Sequence, residues 1–217
     1  MNLPNKLSLF RVVLVPIIAI LYLFCDLGMA FQVNVQDAMV TVQWSDIVVL
    51  ILFAIASFTD FLDGNIARKR NLVTSFGKFV DPIADKLLVN TMLILFAVGN
   101  RVPIIAVIIM IWRDTIVDGL RMSASAKGKV VAAGMPGKIK TVLQMFAIIF
   151  VMLYDLPFAY LGIPMDQIFI WGATIASVYS GIVYFMKLKD VVIDGTGNNS
   201  SIFRGFAERK KTDNWQL

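Results

Sequence analysis

Four aspartates, Asp60, Asp63, Asp81 and Asp85, stand inside or beside stretches otherwise apolar enough to cross a lipid bilayer. A carboxylate at a bilayer centre costs about 2.5–3.5 kcal/mol on insertion scales, so four of them call for a countercharge. The sequence has no histidine and one cysteine, Cys25, which leaves hard oxygen donors for any metal ion the aspartates would share. Such donors suit Mg2+, Mn2+ or Ca2+ and not a zinc site. A helix advances about 100° and 1.5 Å per residue, so Asp60, Asp63, Gly64 and Ala67 fall on one stripe. Asp81 and Asp85 stand one turn apart on a following helix, with Gly77 one turn before them. Gly64, Ala67 and Gly77 put little side chain on that face, so a flat group can approach the backbone. Arg68 adds a fixed cation suited to phosphate. If the two short-linked helices pack antiparallel, both carboxylate pairs meet across one cleft.

A second group follows. Arg113, Asp114, Asp118 and Arg121 recur at near-turn spacing in an apolar stretch, and Lys138 and Lys140 come just after Gly134 and Gly137. A Gly-Lys-x-Lys-Thr run at a helix start combines free backbone N–H groups with ammonium groups, which suits an anion. Read functionally, these cations make a pocket for a phosphorylated ligand facing the candidate metal site; an uncharged ligand would not need so many. Read structurally, Arg113 and Arg121 pair with Asp114 and Asp118, and the lysines only mark membrane topology. The four aspartates also admit two plainer readings. One is a structural ion network with Arg68, Lys69, Lys78 and Lys86, and the other is an ion pathway in a carrier. Glycine and alanine interleaved on the carboxylate stripe speak against the network. The lack of internal repeats, or of broken helices in both halves, speaks against the carrier.

The elements that must position these residues are membrane helices. Of 217 residues 58% are hydrophobic and 16% charged, with a mean hydropathy of +0.76, which describes a polytopic membrane protein and excludes a soluble domain. The net charge of +5 follows from topology and not from nucleic-acid binding. Cys25 alone makes no disulfide framework and reads as a small apolar filler. A cleavable signal peptide is not expected, because Arg11 interrupts the first apolar run and no small-residue cleavage site follows.

The apolar runs and their punctuation predict about six helices, near residues 3–24, 45–70, 75–98, 103–126, 138–154 and 165–188. Pro16 and Pro82 fall inside the first and third. Residues 26–46 fit either a short strand pair or an interfacial segment. Arg11 either snorkels to the interface or touches a phosphate. Basic residues gather at Lys6, 68–70, 127–140 and from Lys187 onward, whereas the alternate connections carry only Arg101. The positive-inside rule then puts both termini and the aspartates on the cytoplasmic side. Residues 1–190 read as the transmembrane catalytic domain and 191–217 as a polar cytoplasmic tail.

The pattern Asp60-x2-Asp63-Gly64-x2-Ala67-Arg68-x8-Gly77-x3-Asp81-x3-Asp85 resembles, at every fixed position, the signature of the CDP-alcohol phosphatidyltransferases. The second group resembles the bacterial phosphatidylglycerophosphate synthase branch of that family. The resemblance rests there on Arg113-Asp114, on Gly119-Leu120-Arg121, on Gly137-Lys138-Ile139-Lys140-Thr141, and on the opening Asn2-Leu3-Pro4-Asn5 with Arg11 and Pro16. Asp114 stands where that branch more often has Glu. The resemblance implies an all-α integral membrane protein of six spans, a homodimer in the bacterial cytoplasmic membrane, with CDP-diacylglycerol and sn-glycerol 3-phosphate as substrates. It implies two divalent ions, Mg2+ or Mn2+, held by Asp60, Asp63, Asp81 and Asp85, with Asp85 also a candidate base for the acceptor hydroxyl. It implies that Gly64, Ala67, Arg68 and Gly77 frame the cytidine and its phosphates, and that Arg113, Arg121, Lys138 and Lys140 hold the acceptor phosphate. Inositol phosphate is the alternative acceptor.

Overall fold

The computed structural model describes residues 3–35, 38–69, 75–126 and 134–193, with backbone alone at 3–4, 38, 61–69, 75–76, 78–79, 157 and 190–193. Among the described residues the chain forms α1 (Leu3–Phe24), β1 (Met29–Val35), β2 (Ala38–Gln43), α2 (Trp44–Lys69) and α3 (Ser75–Val98), followed by α4 (Ile104–Ala126), α5 (Met135–Met152), α6 (Leu156–Ala159) and α7 (Met165–Ile193). The open choice at residues 26–46 resolves as an antiparallel strand pair with Gln32 opposite Thr41 and Val33 opposite Val40. A bulge between Met29 and Phe31 shifts the register, and the Gln32 amide donates to the Thr41 hydroxyl.

Helix ends follow local chemistry. Pro136 stands in the first turn of α5, where its missing N–H costs nothing, and Gly134 precedes it in an extended conformation. The helix therefore starts at Met135, earlier than the expected residue 138. It ends at Met152 because Tyr154 and Asp155 turn the chain with left-handed φ of 56° and 54°. α7 continues to Ile193, past the expected end at 188.

The long helices have 18 to 29 residues, which at 1.5 Å per residue is about the 30 Å of a hydrocarbon core or more. By length and composition three of them suffice to cross a membrane, over Asn5–Phe24, Met135–Met152 and Met165–Lys189. Among the described residues the chain is an all-α membrane protein apart from the β1–β2 hairpin. The charged residues of the candidate site belong mainly to α2, α3 and α4.

Two groups of three helices make up the body. α1 packs against α2 and α3, α7 packs against α4 and α5, and α3 joins the groups by touching α4 and α5. Among the described residues α2 and α3 touch each other at few places, and α1 lies against both. One buried core runs through both groups, with Ile18, Phe53, Met92, Phe96, Met110 and Ile148 among its least exposed members. Lipid tails are as apolar as these side chains, so the helices are held by close packing and polar contacts more than by hydrophobic transfer. Ala56, Ala106, Ala147 and Ala173, all fully buried, let the helix backbones approach. Phe169 of α7 stacks on Phe150 and Phe146 of α5 at 5.1 and 5.5 Å.

The end away from the candidate site is closed by a polar clasp. Arg101 donates to the Val151 carbonyl and lies 3.5 Å from Asp46. Its guanidinium sits 3.9 Å from the centre of the Tyr154 ring, and the Tyr154 hydroxyl donates to Asp46 Oδ2 at 2.5 Å. Burial, and then that hydrogen bond, push the Tyr154 phenol up to about 12.

Candidate active site

Alternating helix direction places the reactive residues together. The start of α1, the end of α2, the start of α3, the end of α4, the start of α5 and the end of α7 all lie at one end of the body. Ser8, Arg11, Asp60, Asp81, Asp85, Arg113, Asp114, Lys140 and Tyr184 come from those helix segments.

α1 supplies the contacts that organise two of the carboxylates. Arg11 Nη1 donates to Asp60 Oδ1, and the Ser8 hydroxyl donates to Asp81 Oδ1. Arg11 is fully buried, so it does not snorkel as one of its expected readings had it. A buried guanidinium without an acid partner would be costly, and Asp60, whose side chain is 42% exposed, supplies the charge while keeping oxygen accessible. Asp85, one turn beyond Asp81, lies within electrostatic reach of the Asp60 carboxylate and of Arg11, Lys140 and Lys86. That arrangement links the carboxylate end of the site to the basic end.

The basic end is a cavity of about 140 Å3 between α3, α4, α5 and α7. Asp85, Arg113, Asp114, Arg121, Lys140 and Tyr184 are among the side chains that line it. Asp114 is the hub. Its Oδ1 accepts from Arg113 Nη1 at 2.8 Å and its Oδ2 from Lys140 Nζ at 2.5 Å. Arg113 also donates through Nη2 to Ser180, while its buried Nε has no acceptor among the described residues. Asp118 pairs with Lys86. The structural expectation that Asp114 and Asp118 pair with Arg113 and Arg121 therefore holds for Arg113 with Asp114, while Asp118 takes Lys86. One carboxylate shared by two cations leaves a net positive pocket wall, which suits an anion of small size.

Of the sequence-derived candidates, the structure brings Asp85, Arg113, Arg121 and Lys140 to this one cavity. Lys138 is exposed on α5 and does not line it. Gly77 is buried one turn before Asp81. The side chains of Asp63, Ala67 and Arg68, and the surroundings of Gly64, lie outside the described residues. Among the described residues no three acidic side chains meet closely enough to hold an ion. Asp60, Asp81 and Asp85 nevertheless offer only carboxylate oxygens, and Asp60 and Asp85 are close enough for their charges to interact. That donor set fits a hard divalent cation such as Mg2+ or Mn2+ and no soft one.

Sequence reasoning passed over several contributors. Ser8 is one turn before Arg11 in α1, and a polar pair at that spacing in an apolar helix was a usable signal. Ser180 and Tyr184, four residues apart in α7, carried the same signal. Asn90 and Gln144 line the cavity as polar residues within long apolar runs.

The family model for CDP-alcohol phosphatidyltransferases matches residues 1–179. A protein of Bacillus subtilis (strain 168) named CDP-diacylglycerol–glycerol-3-phosphate 3-phosphatidyltransferase is 44% identical over 187 residues, covering 86% of this chain and 94% of its own length. A protein of the same name from Rickettsia typhi is 36% identical, covering 87% of this chain and 97% of its own length. One from Escherichia coli (strain K12), again of that name, is 33% identical over 68% of this chain and 74% of its own length.

Proposed function

The chain belongs to the CDP-alcohol phosphatidyltransferase family, and on that premise we propose that it transfers the phosphatidyl group of CDP-diacylglycerol to sn-glycerol 3-phosphate, giving phosphatidylglycerol phosphate and CMP. The observation that carries the choice of acceptor is the cavity joining Asp85 to Arg113, Arg121 and Lys140. Arg113 and Lys140 share the single Asp114 carboxylate, and an acceptor phosphate would supply the further negative charge that an unphosphorylated alcohol lacks. The shared name of the relatives points the same way.

In this reaction an acceptor hydroxyl oxygen bonds to the lipid-side phosphorus of the pyrophosphate. The bond from that phosphorus to the CMP oxygen breaks, and the hydroxyl proton is released. Asp85 stands between the acid cluster and the basic cavity, where it accepts that proton from an acceptor anchored by its phosphate. Arg113, Arg121 and Lys140 hold the phosphate, and Lys138 takes an outer position on α5. Arg68 contacts the nucleotide phosphates, and Gly64, Ala67 and Gly77 leave room for the cytidine. Asp60, Asp63, Asp81 and Asp85 would hold two divalent ions, Mg2+ or Mn2+. When bound, such ions neutralise pyrophosphate oxygens and stabilise the departing CMP. Arg11 and Ser8 fix the rotamers of Asp60 and Asp81.

In this reading the chain is a homodimer in a bacterial cytoplasmic membrane, crossed by six helices. Basic residues gather in the sequence at Lys6, 68–70, 127–140 and Lys187, and the positive-inside rule supports a site and both termini on the cytoplasmic side. The test is CMP release by purified protein in lipid–detergent micelles holding CDP-diacylglycerol. Release that requires both a divalent ion and sn-glycerol 3-phosphate supports the reading. Release supported equally by inositol phosphate would remove the assigned acceptor, and release supported by no alcohol would remove the reaction.

A further inference from the structure

We propose that Ser180, Gly181 and Tyr184 of α7 are positioning residues that set acceptor recognition by holding Arg113 and the start of α5 in register. The inference deepens the reading above and rests on it. The Arg113 stem crosses α7 at Gly181, where an added methyl group would stand 3.0 Å from Arg113 Cγ. Beside that crossing the guanidinium donates to the Ser180 hydroxyl and lies 5.8 Å from the centre of the Tyr184 ring. Ser180 is fully buried and Tyr184 nearly so, which makes this a fixed seat and not a chance surface contact. Tyr184 also reaches the other half of the pocket: its hydroxyl accepts from the Gly134 N–H at 2.5 Å, just before α5 begins. Lys140 follows within the first two turns of α5 and meets Arg113 at the shared Asp114 carboxylate.

α7 thus fixes both cations without contributing a charge of its own. A guanidinium recognises phosphate through a planar fork, and a displacement of a few tenths of an ångström loses the paired geometry. Of the two glycines beside Arg113, Gly181 leaves less room than Gly137, 3.0 against 4.0 Å for an added methyl group, so a single methyl there moves the Arg113 stem. Asp85 of α3 lines the same cavity, but the α7 seat holds the Arg113 guanidinium and the Gly134 N–H and not a carboxylate of α2 or α3. The effect of disturbing α7 therefore falls first on the phosphorylated acceptor.

The experiment compares steady-state kinetics of Gly181→Ala, Ser180→Ala and Tyr184→Phe, with both substrates varied in turn. Gly172→Ala, on the same helix with only an ordinary 4.0 Å contact to Leu143, controls for the general effect of alanine on a helix. The KM for sn-glycerol 3-phosphate rises about tenfold in Gly181→Ala and Ser180→Ala, as expected for losing one hydrogen bond to a charged group. Tyr184→Phe keeps the ring and loses the hydroxyl, and its KM rises by a smaller factor. The KM for CDP-diacylglycerol stays within about twofold of the parent in all of them, and Gly172→Ala changes neither constant. An unmoved acceptor KM in the α7 variants, or a fall in kcat with both KM values shifted alike, overturns the inference while leaving the proposed reaction standing. A parent protein that shows no dependence on sn-glycerol 3-phosphate overturns the reaction and the inference with it.

Discussion

Replacing Asp114 by asparagine tests the charge arrangement of the pocket directly. Asp114 is 6% exposed and its carboxylate binds Lys140 Nζ at 2.5 Å and Arg113 Nη1 at 2.8 Å, while Lys140 itself is 5% exposed. Asparagine keeps the shape and one acceptor oxygen but removes the charge, leaving two cations side by side. Breaking a buried ion pair by removing one partner costs about 3–5 kcal/mol. The low end applies because the pocket wall is open to the cavity, so the expected loss is about 3 kcal/mol. For a chain of this size that lowers Tm by about 6–12 °C. Thermal unfolding of the purified protein in detergent reads the shift. The double variant Asp114→Asn/Lys140→Met removes the surplus cation and recovers most of the lost Tm without recovering acceptor use. Adding sn-glycerol 3-phosphate returns an anion to the pocket and raises the Tm of Asp114→Asn more than that of the parent. A single variant within 1 °C of the parent, or a double variant less stable than the single, refutes the reasoning.

Three further outcomes follow from the same geometry. Asp85→Asn loses most turnover while keeping CDP-diacylglycerol binding; equal loss of binding, measured by titration with the nucleotide lipid, removes the role of proton acceptor. Lys140→Ala raises the KM for sn-glycerol 3-phosphate by at least about tenfold and Lys138→Ala by less, because Lys140 lines the cavity and Lys138 does not; the reverse order in the kinetics contradicts the pocket. Tyr154→Phe at the far clasp lowers stability by about 1–2 kcal/mol at neutral pH with no change in either KM. The raised pKa of Tyr154 means that the folded protein holds the phenolic proton longer than the unfolded chain, so its contribution is complete below the ordinary value of 10.0 and fades as pH climbs toward about 12. Unfolding curves across that range lose the Tyr154-dependent slope in the phenylalanine variant.

The helices were largely legible, and the reasons are local. α3 falls at the expected 75–98 because Gly99 and Asn100 stop a long apolar run. α5 was misplaced at both ends. Pro136, two residues before the expected start, sits in the helix's first turn, and the left-handed Tyr154 and Asp155 give no signal in residue type. Residues 26–46 are too short a stretch for residue types to separate a hairpin from an interfacial segment; the pairing of Gln32 with Thr41 is what distinguishes them.

Within the site, types and spacing pointed to the acids and the cations, but not to how they are joined. Periodicity says which face of a helix is special and nothing about which helix it meets. The insertion of α1 between the roles of α2 and α3, through Arg11 and Ser8, therefore had to come from the packing. The same holds for α7, whose Ser180 and Tyr184 sit in a run that reads as an ordinary membrane span. Asp114 was visible as an acid near Arg113. That it also holds Lys140, 26 residues away, is a tertiary fact.

The most direct test of the central claim is product analysis by mass spectrometry after incubation of the purified protein with CDP-diacylglycerol, Mg2+ and either sn-glycerol 3-phosphate or glycerol. The account predicts phosphatidylglycerol phosphate and CMP from the phosphorylated acceptor, and no transfer to glycerol at the same concentration. Transfer to glycerol as readily as to its phosphate would contradict it, because the cations around Asp85 would then contribute nothing to acceptor choice.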